Sequence, residues 1–330
     1  MAPSTESSSL LTSSSTDDSL ENAGKLPFLR TLLGDGGFKS LTFVAALIAG
    51  AVPFFVVALI SRDAWPAIAK FGLPFLWEQD WNIDESIYGA LPYLFGSLVS
   101  AFIALVLALP IGVAIAIVTS ERVLPPWVQI PIAFLVELIA AIPSVIIGLW
   151  GVFVFTPAIN PFQEFLYARF GWLPIFNTQP FGSSMLVAGI ILAIMILPTI
   201  AAISREAFLA ISADLRNGAF ALGATQWETI IFVTMPAAIS GILGGATLGL
   251  GRALGETMAV TMVIGNVAGI DFSLLSPGST IPSILANQFS EALDPLHIGA
   301  LMYLALVLFL ITLGVNSLAI FMIRFLSRNA

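Results

Sequence analysis

Apolar residues gather into long runs from residue 41 onward, separated by short polar stretches. A hydrocarbon core about 30 Å thick needs about 20 apolar residues at about 1.5 Å of helix each. Six runs are long enough: 41–60, 89–118, 128–155, 182–204, 236–264 and 297–324. Several exceed the minimum, which predicts tilt or a break. Pro110, Pro143 and Pro198 fall inside three of them, where neighbouring groups must re-satisfy the freed carbonyls. Residues 1–37 differ: serines alternate with Glu6, Asp17, Asp18 and Glu21, which predicts a disordered tail rather than a secretory signal. The fold class is therefore all-α: a polytopic membrane protein with six transmembrane helices. Its tail covers 1–37, its first span and outer loop 38–84, and the remaining five spans 85–330.

Composition narrows the function classes. Hydrophobic residues make up 58% of the 330 and charged residues 10%, with a mean hydropathy of +0.99. Soluble domains carry about 25% charged residues, so one or two soluble domains would lack polar cover. The absence of cysteine excludes disulfides, Fe–S clusters and cysteine zinc sites, and a single His297 disfavours a metal centre or a Ser-His-Asp triad. A net charge of −8 argues against nucleic acid.

With the N-terminus inside, the inner segments hold eight basic residues: Lys25, Arg30, Lys39, Arg122, Arg205, Arg216, Arg324 and Arg328. The outer loops hold three: Arg62, Lys70 and Arg169. That bias places both termini in the cytoplasm. Trp65, Trp77, Trp81, Trp127 and Trp172 sit near span ends, where amphipathic rings prefer the interface.

The fifth run is rich in glycine, with pairs four apart at Gly241/Gly245, Gly245/Gly249 and Gly251/Gly255. Such spacing lets helices approach closely and predicts a central, protein-packed helix. Three ionisable residues lie inside runs: Glu137 in the third, Arg252 and Glu256 in the fifth. Each costs about 2.5–3.5 kcal/mol at mid-membrane, so each needs a partner or a watery cavity. Arg252 and Glu256 are one helical turn apart and could face the same way. One reading is a salt bridge locking helices, with Glu137 or Glu256 as the acid. The other is a pathway for a charged solute. A guanidinium offers a planar fork of donors suited to an oxyanion, and a neighbouring carboxylate would keep its grip weak enough for release.

Residues 205–235 form the longest inner loop. Phe208, Ile211, Leu215, Phe220 and Leu222 give a partly amphipathic pattern, Gly223 stops a helix, and Thr225-Gln226-Trp227-Glu228 fits a capping box. The expected shape is helix, tight turn, helix. It could simply close the loop, or it could dock a partner through Phe220 and Trp227.

ALGATQWETIIFVTMPAA at 221–238 resembles the second half of the loop shared by permease subunits of ATP-binding-cassette importers. Gly223, Ala224 and Met235-Pro236 fit that motif. Asn217, Gly218 and Ala219 occupy its Glu-Ala-Ala position, so the glutamate is missing. VELIAAIPSVIIGLWGVFVF at 136–155, GLGRALGETMAVTMVIGN at 249–266 and TIPSILANQFSEA at 280–292 are similar to the phosphate-specific permeases of the PstC type. The resemblance covers roughly 85–330.

That resemblance implies a type I importer permease fold and a role in moving inorganic phosphate across the cytoplasmic membrane of a bacterium. It implies a second, PstA-like permease subunit, a dimer of PstB-like ATP-binding subunits and an external PstS-like phosphate-binding protein. It implies no catalytic residue, no metal site and no cofactor on this chain. ATP and Mg belong on the partner ATPase, since the one Gly-Lys dipeptide, Gly24-Lys25, is followed by Leu26 and makes no phosphate-cradling loop. Arg252 is the expected anion contact, with Glu256 and Glu137 as charge partners or gate and Ser144 and Thr257 as hydroxyl donors. Asn217, Gly218, Ala219, Phe220, Gly223, Ala224 and Trp227 are the expected coupling surface. A permease for another oxyanion is the neighbouring alternative. A proton-coupled transporter would show an inverted repeat, a channel a repeated pore loop, and an intramembrane enzyme a catalytic set; none is apparent.

Overall fold

A computed structural model describes residues 35–121 and 123–326. Of the tail expected at 1–37, residues 1–34 lie outside these, as do Arg122 and Arg328, while 35–37 belong to the first helix. Among the described residues there is no strand, only two isolated bridges, and six helices are long and apolar enough to cross a membrane. The chain divides into a unit ending at Leu59 and one starting at Ile60.

The first unit is the leading part of helix α1 (Asp35–Phe71), whose large apolar side chains, Phe54 and Phe55 among them, are exposed. A smooth all-round apolar surface of this kind suits lipid.

The second unit holds the other spans. α2 (Leu91–Ser120) carries Pro110 without interruption. α3 (Pro126–Ala141) is a shorter apolar helix. α4 (Ser144–Trp150) runs through a wider turn at Gly151–Phe155 into α5 (Thr156–Phe170). α6 (Met185–Leu209), α7 (Ala213–Ala221) and α8 (Gln226–Thr229) follow. α8 leads through another wide turn, Ile230–Thr234, into α9 (Met235–Gly255). α10 (Met258–Val263), α11 (Ile281–Gln288) and α12 (Pro295–Leu326) complete the unit.

Two runs expected as single spans are broken. The run 128–155 stops at Ala141, because Ile142 is extended (ψ 126°) and Pro143 offers no N–H. The membrane-length helix there is Ser144–Phe170. The run 236–264 starts earlier, at Gln226, and ends at Gly255, where Glu256 is extended (ψ 123°). The inner loop is correspondingly shorter than 205–235: α6 reaches Leu209 and the next span begins at Gln226.

The central helix is α6, not the glycine-rich fifth span. Val187, Ala188, Ile191, Ile196 and Ile200 are wholly buried, in one core with Ala101, Ala104 and Ala108 of α2. The glycines of α9 divide their work. Gly241, Gly245 and Gly249 abut Ala207, Ile203 and Ile200 of α6, and a Cβ on Gly249 would fall 2.9 Å from Ile200. A Cβ on Gly251 would instead meet Asn316 of α12 at 3.7 Å, and Gly244 and Gly255 face open space.

A second core joins the chain around residues 75–93 to α12. Phe75 stacks on Tyr303 with centroids 4.4 Å apart. Trp81 is half-buried, and its Nε1 donates to Gln288 Oε1 at 3.0 Å. His297 Nε2 meets the same oxygen at 3.1 Å, and its ring stacks on Tyr88, so the one histidine is part of this packing.

Candidate functional site

Arg252 lies in the last turn of α9. Its Nη1 donates to Thr199 Oγ1 of α6 at 3.3 Å, and among the described residues no carboxylate stands within 4.0 Å of it. The salt-bridge reading of Arg252 therefore has no acid behind it. Glu256 sits past the end of α9, and its Oε1 accepts from Ala259 N at 3.4 Å, bracing the start of α10. Arg252 and Glu256 do not share a helix face, because the helix ends between them.

Thr257 spends its hydroxyl locally, donating to Gly255 O at 3.3 Å. Ser144 opens α4 just past the other break and caps nothing. The two restart segments, α4 and α10, pack together: a Cβ on Gly148 would lie 2.9 Å from Ala259 Cα. That close approach needs a glycine.

Glu137, on α3, is brought near this site by another route. It lines a cavity of about 420 Å³ with Thr199, Arg205 and Glu206 of α6 and Thr119 of α2. The cavity thus reaches the side chain that holds Arg252. Thr199 was missed from sequence, since a threonine in an apolar run carries no signal of its own.

The knuckle has the expected helix, turn and helix. Ser212 caps α7 by accepting from Leu215 N. Gly223 takes φ +89°, a left-handed position that disfavours any Cβ. Its N–H donates to Phe220 O, and Ala224 N donates to Ala219 O. Thr225 and Glu228 form the full capping box. Phe220, Leu222 and Trp227 stand exposed, while Ala219 is buried. Asn217 and Phe220 line a cleft of about 440 Å³, and Gly218 faces open space.

An unforeseen ion pair fixes this knuckle. Arg216 donates from Nη2 and Nε to Glu121, at the end of α2, at 2.8 and 3.1 Å. Its Nη1 and Nη2 also donate to Ile211 O at 2.7 Å and Phe208 O at 2.6 Å. One guanidinium therefore ties α7 to the ends of α2 and α6. A sequence separation of 95 hides the pair from sequence reading.

Residues 108–330 match the family of binding-protein-dependent transport system inner membrane components. The chain belongs to that family. It is a permease-type, multi-pass membrane protein of a binding-protein-dependent importer. It is 44% identical over 269 residues to the phosphate transport system permease protein PstC of Pasteurella multocida, covering 80% of this chain and 83% of that protein. It is 41% identical over 298 residues to PstC of Xylella fastidiosa, covering 87% and 91%. A bacterial alginate ABC transporter in complex with its alginate-bound periplasmic protein contains a chain of the same fold. The likeness has a TM-score of 0.55 at 14% identity, over 88% of this chain and 96% of that one.

Proposed function

We propose that the chain is the permease subunit through which a bacterial ATP-driven importer passes inorganic phosphate across the cytoplasmic membrane. The reading rests on Arg252: a permanent cation on a membrane helix, held by a hydroxyl and, among the described residues, by no carboxylate. Its remaining donors are free for an oxyanion. Phosphate is preferred over other oxyanions because relatives at 44% and 41% identity carry that name.

Both termini lie in the cytoplasm in this reading, which puts the 210–225 knuckle on the side of the ATPase. A dimer of PstB-like subunits docks there, against Phe220, Leu222 and Trp227, and holds the ATP and Mg. A PstA-like permease completes the pathway, and a PstS-like protein delivers phosphate from outside. This chain hydrolyses nothing. Binding of ATP on one side and of loaded binding protein on the other biases a switch between outward and inward states.

Arg252→Gln is expected to abolish phosphate uptake while all subunits still co-purify. Normal uptake by that variant refutes the anion role. Gly223→Pro is expected to uncouple ATP hydrolysis from uptake or block assembly, and unchanged coupling refutes the docking assignment.

A further inference from the structure

α6 carries a second cation that the pathway above leaves unused. Arg205 stands six residues beyond Thr199, about 9 Å along the helix, and lines the same cavity. Its Nη1 reaches Glu206 Oε1 only at 3.5 Å, in an exposed pair. Its Nε–H is shut away from solvent with no acceptor. Across the cavity, Glu137 makes no ion pair or hydrogen bond among the described residues. The cavity therefore presents the outer Nη donors of Arg205, a threonine hydroxyl and two carboxylates, Glu206 already paired with Arg205 and Glu137 unengaged.

These groups demand opposite things of a ligand. A guanidinium offers donors alone, and an ionised carboxylate accepts alone. A solute that satisfies both must be an anion that still carries an O–H. Orthophosphate keeps at least one proton at neutral pH; sulfate keeps none and would meet Glu137 only with repulsion, a cost that sorts the two.

We propose that this cavity is a second oxyanion station, in which Arg205 and Thr199 hold the anionic oxygens and Glu137 accepts from the ligand's hydroxyl, selecting oxyanions that retain a proton. The proposal rests on the phosphate reading and deepens it. Thr199 links the station to Arg252, so the anion steps from one guanidinium to the next.

The chain has no cysteine, so Ala202→Cys places a single thiol in the cavity lining. Maleimide labelling of that thiol is followed by the mass of this chain in the assembled transporter. Inorganic phosphate is expected to slow labelling several-fold and sulfate at equal concentration to leave it unchanged. Adding Arg205→Gln should remove the phosphate protection, and adding Glu137→Gln should let sulfate protect. Equal protection by both anions, no protection by phosphate, or protection that survives Arg205→Gln overturns the station. Ala140→Cys, on the facing helix, repeats the measurement if Ala202→Cys disturbs assembly. Phosphate uptake by the same transporters separates the two levels: normal uptake without the protection pattern defeats the station alone, whereas a wild-type transporter that takes up no phosphate defeats the underlying function.

Discussion

A guanidinium whose one close partner is a hydroxyl keeps most of its five donors for a passing solute; one clamped by a carboxylate spends them. Under the proposed function, Thr199 acts on transport through the hydrogen bond it accepts from Arg252. Thr199→Val is expected to lower phosphate uptake by roughly tenfold, the scale of a hydrogen bond to a charged group, and Thr199→Ser to restore most of it. Radiolabelled uptake at several phosphate concentrations checks both. Arg216 presents the opposite case: Glu121 beside it is largely buried, and removing one partner of such a pair costs about 3–5 kcal/mol. Glu121→Ala should accordingly lower the thermal midpoint of the purified complex more than Asp214→Ala at the exposed start of α7. Charge inside an apolar run made Arg252 and Glu137 legible in the sequence. Thr199 and the Arg216–Glu121 pair were not, because the first is an ordinary residue in its run and the second joins positions far apart in the chain.

Among the elements, length and apolarity located the spans, and a proline with an extended neighbour decided where one of them stops. Pro110 and Pro198 remain inside helices while Pro143 ends one, a difference that a proline count cannot see. The second break, at Glu256, has no proline and was invisible; its helix gives out at a glycine instead. The knuckle was the most legible element, since Gly223 and the Thr225–Glu228 box are local signals. Thr225→Ala should cost about 1 kcal/mol of local stability, seen as faster amide exchange over 226–229. The loop between α10 and α11 hangs on Asp271, which accepts from Ser273 N at 2.9 Å and from the Thr178 hydroxyl at 2.9 Å. Burial pushes this carboxyl up, but the bonds from Ser273, Thr178 and Ser276 outweigh it and hold it below its usual value. A lowered native value stabilises above the ordinary carboxylate range and is lost as pH falls through that lowered value. Asp271→Asn is expected to flatten the acid limb of a proteolysis profile of this loop below about pH 4.

For the whole molecule, hydrophobic patterning and motif gave the architecture, while the choice of central helix needed the packing itself. Glycines advertise close approach but not which neighbour is enclosed: α9 shows one face to α6, and α6 is enclosed by the rest. The purified chain alone is expected to show no ATP turnover, with activity appearing on addition of its ATP-binding partner, as a phosphate-release assay would report. The grip of Arg216 gives that partnership a mechanical meaning. Its donors hold the carbonyls at the foot of α6, and Thr199 stands ten residues, about 15 Å, up that same rod. A shove delivered to the knuckle cannot be absorbed as slack in a loop. Under the proposed docking, it arrives through one stiff shaft at the side chain that holds Arg252.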